Sequence, residues 1–420
     1  PDRPAPLNKI KMPAGFEIEY FAKGIDGARS MVRSDSGVLF VGTRRTGKLY
    51  AILDENNDGK SDRTILLTDK LDTPNGVALR DGNLYVAEIG RILRYDDIEE
   101  NLESLPEPVV VTDLYPEDAH HGWKFIAFGP DGKLYVPVGA PCNVCERENE
   151  IYSSITRIDP DGSNFEVVHA GLRNPKEIAF DQWGNCISVD NNSDQGDKAR
   201  VVYIVDGADS GWRTDHQNLH TFHREVGYEK RPINQWMQER QWDKHHEGQP
   251  AFLLPPIDTL TSGPSGLTYH PGTGFSHNCV DSFLVCDYRG GAASSGIWAF
   301  GIEPDGASMK MVNPRRFNWG AAVTDAAIPL LAKNPQLKTL VLENTEITGA
   351  GIDALTKLPN LKVLNLRRST YLDDTALEKI SQMQDIEQLI LLLLRILIVL
   401  ALAALIARLI LDPNQMALLG

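Results

Sequence analysis

Cysteine is scarce in this sequence, with five residues in a chain of 420. The number is odd and too small for a domain held together mainly by disulfides. Cys142 and Cys145 form a single Cys-x-x-Cys pair, which does not support a four-cysteine zinc site, and no histidine follows Cys145 to permit covalent haem attachment. We expect a small-loop disulfide here if the protein is exported, free thiols if it is not, and a redox-catalytic pair as a third alternative.

Positive charge is also in short supply. Lysine and arginine number 42 against 57 aspartates and glutamates, a formal net charge of −15. Without a long basic run, this balance argues against a nucleic acid partner, because phosphate backbones need a basic face. Hydrophobic residues (42%) and charged residues (24%) are at globular levels, which excludes a mainly disordered chain. The first residues lack the pattern of an export signal, which we expect to be either removed or absent.

A repeated pattern covers most of the chain: a glycine-containing turn, a short apolar strand and a second apolar strand. Its instances are Gly37-Val-Leu-Phe-Val-Gly42, Gly82-Asn-Leu-Tyr-Val-Ala87, Gly132-Lys-Leu-Tyr-Val-Pro137, Gly184-Asn-Cys-Ile-Ser-Val189 and Asp281-Ser-Phe-Leu-Val-Cys286. They lie about 45 to 55 residues apart, except where residues 213–250 lengthen the fourth copy. This spacing is typical of four-stranded propeller blades, whereas solenoid repeats are normally shorter. A sixth blade is predicted to begin at Phe317 and stop, so residues 1–322 are predicted to form an all-β six-bladed propeller with an incomplete last blade.

The pattern changes after residue 322. Leu337 and Leu361, 24 residues apart, each begin an L-x-x-L-x-L core. We therefore predict an α/β segment of leucine-rich repeats over residues 323–388, with helices at 352–357 and 374–383 and a third strand from Ile386.

An apolar run, residues 389–411, contains only Arg395 and Arg408 as charges. It is long enough to span a bilayer, so residues 389–420 are predicted to be an apolar helical tail and a candidate membrane anchor. The alternative is an over-hydrophobic repeat cap that packs on the preceding leucines.

Three groups of residues could carry chemistry. His121, directly before the first strand of one blade, could act as a general base near neutral pH, or be an ordinary loop histidine. Arg173 and Asn174 occupy the same position one blade later and could bind a carboxylate or quinone oxygen, or only form a tight turn. The polar loop 190–197 could offer oxygens to a hard cation such as calcium, or be a solvated loop.

Taken together, these motifs resemble a family. Thr73-Pro-Asn-Gly-Val-Ala78, the segment 121–131, Gly139-Ala-Pro-Cys-Asn-Val-Cys-Glu146, the segment 171–175 and Asp287-Tyr-Arg-Gly-Gly291 occur in the order found in quinoprotein sugar dehydrogenases. That family includes soluble glucose dehydrogenase, the aldose and sorbosone dehydrogenases and predicted membrane-bound dehydrogenases of planctomycete-type bacteria. The resemblance covers roughly residues 12–322 and implies a six-bladed propeller that binds pyrroloquinoline quinone (PQQ) and calcium.

The resemblance also implies roles for single residues. His121 corresponds to the catalytic base, and Arg173, Asn174, Arg289 and Asn75 to cofactor-binding positions. The calcium-binding carbonyls fall near Asn192 and Ser193. Calcium and Arg173 would polarise the quinone carbonyl while His121 removes the proton of a sugar hydroxyl and hydride passes to the cofactor.

A second candidate calcium loop comes from the residues alone. Asp54, Asn56, Asp58 and Asp62 stand at positions 1, 3, 5 and 9 of a loop with glycine at position 6. Position 12 is Ile65 rather than the bidentate glutamate, and so a plain polar hairpin turn is the alternative.

The function expected from the resemblance is PQQ- and calcium-dependent oxidation of a small sugar or polyol, with a cytochrome or the quinone pool as external electron acceptor. Two alternatives remain: a non-catalytic scaffold that binds partners through the propeller and the leucine-rich repeats, and a calcium-dependent sugar lactonase. We expect a periplasmic or extracytoplasmic location, with membrane contact through residues 389–411.

Overall fold

In a computed structural model, the chain is described over residues 10–320, apart from 144, 146–148, 193–197, 213–253, 271–278 and 292–293. Residues 7, 336, 338–341, 352–353, 355–356, 358–366, 374–381, 383 and 388–390 are also described. The chain divides into two compact units. The first comprises Pro1–Ala5, Met12–Arg289 and Gly296–Asn318, and the second comprises Pro6–Lys11, Gly290–Ser295 and Trp319–Gly420. The predicted limits at residues 322 and 388 stay predictions.

Five antiparallel blades make up the described part of the first unit. The first blade consists of β1 (Ala28–Arg33), β2 (Leu39–Thr43), β3 (Leu49–Leu53) and β4 (Arg63–Thr68). The second consists of β5 (Gly76–Arg80), β6 (Asn83–Ala87), β7 (Ile92–Tyr95) and β8 (Val109–Thr112). The third is β9 (Ala127–Phe128), β10 (Leu134–Val138), β11 (Ser154–Ile158), β12 (Glu166–Ala170). The fourth is β13 (Pro175–Phe180), β14 (Cys186–Asp190), β15 (Arg200–Ile204), and the fifth is β17 (Pro264–Tyr269), β18 (Phe283–Asp287), β19 (Gly296–Asp305), β20 (Ser308–Trp319). The short strand β16 (Ala208–Asp209) adds in parallel to β12.

The prediction of an all-β propeller is confirmed, with five blades in the described residues. The expected start of a sixth blade at Phe317 is wrong. Phe317 and Trp319 belong to β20, the outer strand of the fifth blade, where both side chains are buried. The long strand β20 pairs with β19 and continues through these residues instead of opening a new blade. The residues after 320 that would complete a sixth blade lie outside the described ranges.

The apolar core lies between consecutive blades. Alternate side chains of each sheet point to the blade on either side, as the two-residue period of a strand requires. Phe40 and Leu49 of the first blade meet Leu84 and Tyr95 of the second in one buried cluster, and similar clusters fill the next three interfaces. Each fully buried side chain of this size contributes about 1.5–3 kcal/mol, so these clusters hold the blades in register.

The first strands of neighbouring blades come close together, and this approach places the ends of these strands near the propeller axis. Gly76, at the start of β5, shows how close the approach is. A Cβ atom built on Gly76 would lie 2.6 Å from the backbone oxygen of Lys124 in the next blade. Only glycine fits this contact without movement of the backbone.

A partly buried carboxyl group connects three blades. Glu177 of β13 accepts a hydrogen bond from the backbone N–H of Leu267 in β17 at 2.8 Å, and it also bonds the side chain of Ser30 in β1. Burial raises the pKa of Glu177 to about 7, although the nearby charge of Arg29 acts in the opposite direction.

The described part of the second unit contains a three-stranded parallel sheet. Its strands are β21 (Thr339–Val341), β22 (Val363–Asn365) and β23 (Gln388–Ile390), with helix α1 (Asp374–Ser381) before β23. Leu340, Leu364 and Ile380 are buried in this unit. The predicted helix at 374–383 is therefore observed with an earlier end, and the predicted helix at 352–357 is described only in part. The interpretation as leucine-rich repeats stays a prediction.

The predicted apolar tail overlaps this sheet. Leu389 and Ile390 belong to β23 and pair with β22, so the assignment of helix from residue 389 is wrong at its first two residues. Residues 391–411 lie outside the described ranges. Among the helices that are described, none is long and apolar enough to cross a bilayer.

Gly76→Ala is expected to lower the free energy of unfolding by about 1–3 kcal/mol, because the added methyl group forces the second and third blades apart. Urea unfolding measures the change. Gly301→Ala is the matched control, since its nearest contact is a side-chain methyl of Val312 at 3.1 Å, which can move. Equal losses for the two variants would contradict the close blade contact.

Glu177→Gln is expected to change how stability depends on pH. The stabilisation from protonated Glu177 is present below its ordinary pKa of 4.5 and is lost as pH rises through about 7. The variant, which has no proton to lose, should therefore gain stability relative to the wild type between pH 5 and pH 8. Urea midpoints at the two pH values test this, and a constant difference between the proteins would show that Glu177 titrates normally.

Candidate functional site

His121 is buried at the entrance to the third blade, where its backbone adopts a left-handed conformation with φ of 58°. Its Nδ1 lies 2.8 Å from the carbonyl oxygen of Ala140. Because a carbonyl oxygen only accepts hydrogen bonds, Nδ1 carries the proton and Nε2 keeps its lone pair. Burial, with the charges of Arg173 and Lys176, lowers the pKa of His121 to about 2. The imidazole is therefore neutral at physiological pH.

Glycine at position 139 allows the candidate residues to meet. A Cβ atom on Gly139 would lie 2.7 Å from the Cβ of His121 and 3.1 Å from Oδ1 of Asn174. His121 and Asn174 are 53 positions apart in sequence. They both contact the backbone at Gly139, where the absence of a side chain leaves room for them.

A buried carboxylate fixes the loop that carries Arg173 and Asn174. Asp190 accepts the backbone N–H groups of Arg173 at 3.1 Å and Asn174 at 2.7 Å. The guanidinium of Arg200 donates to the same carboxylate at 2.6 Å, and both side chains of this ion pair are buried. Removal of either partner would leave an uncompensated buried charge, so the loop has little freedom to move.

The side chain of Arg173 is held by protein acceptors on every side. Its Nε donates to the carbonyl oxygen of Asn143 at 2.9 Å, and one terminal nitrogen donates to the carbonyl oxygens of Asn191 at 3.0 Å and Asn192 at 2.5 Å. The other terminal nitrogen bonds Oδ1 of Asn143 at 2.5 Å and lies 3.4 Å from Nε2 of His121. All five N–H groups of the guanidinium are therefore engaged.

A cluster of cations surrounds the indole ring of Trp123; we call Arg44, Trp123 and Lys176 the indole cluster. The guanidinium carbon of Arg44 lies 3.4 Å from the ring centroid, and Nζ of Lys176 lies 4.4 Å from it. Lys176 donates to Oδ1 of Asn174 at 2.5 Å, which connects the cluster to the loop of Arg173. Burial lowers the pKa of Lys176 well below its ordinary value, and the charges of Arg29, Arg173 and Arg44 act in the same direction. Burial also lowers the pKa of Arg44 to about 10.

Donors of the indole cluster are left unsatisfied. The indole Nε1 of Trp123 is buried and has no hydrogen-bond partner in the described residues. The guanidinium of Arg44, which is half-buried, makes a cation–π contact but no hydrogen bond within the described part of the chain. Because buried donors normally find acceptors, this arrangement fits an anionic ligand with several acceptor oxygens.

Asn75, the predicted cofactor contact from the second blade, is buried at the start of β5. Its Nδ2 donates to the carbonyl oxygen of Lys124 at 2.9 Å, while its Oδ1 is buried without a partner in the described residues. The hydrogen bond ties Asn75 to the segment that carries His121 and Trp123.

Arg289 lies in the fifth blade, where its Nε donates to Asp287 at 2.6 Å and a terminal nitrogen donates to the carbonyl oxygen of Leu260 at 3.0 Å. These contacts hold the guanidinium near Trp298, 5.7 Å from the ring centroid. The structure thus brings together His121, Arg173 and Asn174, and the cofactor-binding role of Arg289 stays a prediction.

The predicted calcium positions show other contacts. The carbonyl oxygen of Asn192 accepts from Arg173, and Ser193 lies outside the described residues. In the Asp54 loop, the carboxylate of Asp54 accepts from the backbone of Asp58 at 3.1 Å and Gly59 at 2.9 Å, and Asp62 accepts from the backbone of Glu55 at 2.8 Å. Asn56 and Asp58 accept from the backbone two residues later, at 2.9 Å each. No cluster of three or more histidine, cysteine or acidic side chains suited to a metal ion occurs in the described parts of the chain.

Sequence reasoning missed Arg44, Trp123, Lys176, Asn143 and Asp190. One signal was available for Lys176. Lys124-Phe-Ile-Ala-Phe128 and Lys176-Glu-Ile-Ala-Phe180 are the same motif in two consecutive blades, and the equivalent position of the second blade is Asn75. A polar residue that recurs at the start of successive inner strands indicates that these side chains line the propeller axis.

Comparison with known proteins gives a family and a fold. The family model described as "Domain of unknown function (DUF7133)" matches residues 5–316. No curated protein matches the sequence.

Solved structures similar to this chain include the holo form of the pyranose dehydrogenase PQQ domain from Coprinopsis cinerea. Its identity is 13%, it covers 76% of this chain and 88% of its own, and the TM-score is 0.55. A calcium structure of Trichoderma reesei Carbohydrate-Active Enzymes Family AA12 is 12% identical, covers 74% of this chain and 87% of its own, and has a TM-score of 0.55. A glucose dehydrogenase-type oxidoreductase of Thermus thermophilus, assigned only from likeness, gives 20%, 72%, 87% and 0.50. At these identities the likeness shows the propeller fold.

His121 is expected to stay neutral and Nδ1-protonated from pH 8 down to pH 4, because its pKa is lowered to about 2 by burial and neighbouring cations. Nitrogen-15 NMR of the imidazole groups tests this, with His121→Gln for assignment. His169, whose pKa is lowered by burial to about 4, is the internal comparison and should begin to titrate first. Titration of His121 near its ordinary 6.5 would contradict the cationic surroundings described above.

Proposed function

We propose that this chain, which belongs to the family described as "Domain of unknown function (DUF7133)", is a sugar-oxidising enzyme that binds an anionic quinone of the PQQ class at the indole cluster. One observation carries the proposal. At Trp123, the buried Lys176 and the half-buried Arg44 meet an unsatisfied indole N–H, beside the neutral His121, whose Nε2 lone pair faces Arg173 at 3.4 Å. The name of the Coprinopsis cinerea structure, a PQQ domain on the same fold, supports the choice of quinone.

The residues of the indole cluster fit such a cofactor. PQQ is a flat ring with carboxylates and quinone oxygens, so it offers both a face for stacking and acceptors for hydrogen bonds. Arg44 and Lys176 would bind the carboxylates by charge-assisted hydrogen bonds, and Nε1 of Trp123 would donate to an oxygen. The amides of Asn174 and Asn75 would complete the polar lining.

When bound, the quinone would supply the two-electron acceptor for hydride from the sugar. His121 would hold the proton of the sugar hydroxyl at Nε2, since Nδ1 is already protonated toward Ala140, and the 3.4 Å contact from Arg173 to Nε2 would be lost in this step. For this task the pKa of His121 must rise from its low value. Burial lowers this pKa most and repulsion from Arg173 and Lys176 adds to it. Negative charge brought close to these two cations offsets the repulsion, so the base would become more effective when the anion is in place.

Calcium does not fit the described part of its expected site. The carbonyl oxygen of Asn192 is already bonded to a guanidinium, so no step of the proposed reaction is assigned to the metal. A calcium contribution from Ser193 or from the Asp54 loop remains a prediction, and calcium is therefore varied in the experiments.

An extracytoplasmic location and an external electron acceptor are part of the proposal. The pairing of Cys142 and Cys145 as a disulfide supports an oxidising compartment, because cytosolic thiols are normally kept reduced. The acceptor would be a cytochrome or the quinone pool. Membrane contact through residues 389–411 is retained as a hypothesis.

The purified chain is expected to bind PQQ saturably and then reduce a dye with one member of an aldose panel. Arg44→Gln should weaken quinone binding about tenfold or more, because it removes a charge-assisted contact. His121→Gln should keep binding within a few-fold and lose at least about a hundredfold in turnover. Arg33→Gln, at an exposed position, is the matched control for the arginine change.

The alternatives give different results in the same experiment. A folded protein that binds no quinone would favour the scaffold. Hydrolysis of a sugar lactone without quinone would favour the lactonase. Either outcome would contradict the proposed function.

A further inference from the structure

The carbonyl oxygen of Asn192, at the expected calcium position, and that of the preceding Asn191 are both already bound to a positive charge. Asn191 and Asn192 present their carbonyls to the same terminal nitrogen of Arg173, at 3.0 and 2.5 Å. Calcium also binds through backbone carbonyl oxygens, so the guanidinium occupies the ligands that a divalent cation would use.

Arg173 cannot easily leave this position. Its guanidinium makes five hydrogen bonds, and its backbone is held by Asp190, which is itself paired with Arg200. The residue is almost fully buried, with 3% of its surface exposed. To free the two carbonyls, the side chain would lose its bonds to Asn143 as well, and its charge would remain buried.

The surrounding charges also disfavour a second cation. Arg173 and Lys176 together lower the pKa of His121, and Arg29 and Arg44 add to the positive surroundings of Lys176. A calcium ion at the Asn191 and Asn192 carbonyls would face the guanidinium of Arg173, and Asp190, a carboxylate of the described residues nearby, is already paired with Arg200. Like charges at this separation repel strongly in a buried site.

We infer that Arg173 takes the place of calcium in this chain, so that the site binds its anionic quinone without a divalent cation at the Asn191 and Asn192 carbonyls. The inference rests on the proposed function for the identity of the ligand. In this role Arg173 is a positioning residue: it organises the loop of Asn191 and Asn192, orients His121 and supplies fixed positive charge, rather than donating to the ligand.

The first test measures PQQ binding by the full chain in two buffers, one with a calcium chelator and one with millimolar calcium. Absorbance and tryptophan fluorescence monitor the binding. The dissociation constants are expected to agree within about threefold. A larger tightening by calcium would overturn the inference while leaving the proposed function intact.

The second test does not depend on quinone. Calorimetric titration of calcium is performed on Asp62→Ala, which removes the candidate loop at Asp54 as a competing site. We expect no stoichiometric uptake, and uptake of one ion per chain would overturn the inference. If quinone fails to bind under either condition, the proposed function fails and this titration alone decides the role of Arg173.

A variant tests the positive charge of Arg173 separately from the folding of the chain. Arg173→Gln removes the positive charge but keeps an amide donor, and we expect it to weaken quinone binding about tenfold or more in chelator, with part of the affinity recovered in calcium. Arg33→Gln is the control and should match the wild type in both buffers. Far-UV circular dichroism checks that the variant is folded, and an affinity equal to wild type would contradict the assigned charge.

Discussion

The packing of two cations, one of them buried, against one indole ring is the constraint on which the site depends. Arg44 and Lys176 approach Trp123, while Arg173 stands beside His121. In water such charges would be solvated separately, but here burial lowers the pKa of Lys176 and leaves donors without acceptors. A folded protein holds this arrangement only if other contacts offset its cost, and an anion that enters the cluster relieves it. Burial, together with this positive charge, keeps His121 neutral, which a general base requires.

The contacts that offset this cost come from the propeller. Asp190, at the end of β14, binds two backbone N–H groups and Arg200, so the turn before β13 is fixed from the neighbouring strands. The loop closed by Cys142 and Cys145 supplies Asn143, whose carbonyl and amide oxygens bind Arg173. Interblade apolar clusters hold the strands in register beneath these loops. These contacts therefore fix the loops at one rim of the propeller, where side chains from different blades must meet within a few ångströms.

Much of the propeller could be predicted from sequence because each blade is a local pattern. Alternation, glycine turns and spacing recur within about 50 residues, and they indicate the strands without knowledge of long-range contacts. The motif order also indicated His121, Arg173 and Asn174, which the structure brings together. Arg44 and Trp123 were not found, because their contact joins two blades and depends on strand register. Nor could spacing show that Arg173 has no N–H left for a ligand, or that β20 continues through Phe317. Those facts depend on which acceptors the fold brings near.

Proton uptake on ligand binding tests the central claim most directly. Calorimetric titration of the chain with PQQ, at one pH near 8 and in buffers of different ionisation enthalpy, gives the number of protons taken up per quinone. The account predicts net uptake, because an anion in the indole cluster raises the lowered pKa of Lys176, while His121 stays unprotonated at this pH. Binding without proton uptake would show that Lys176 does not face the ligand, and the absence of binding would remove the proposed site altogether.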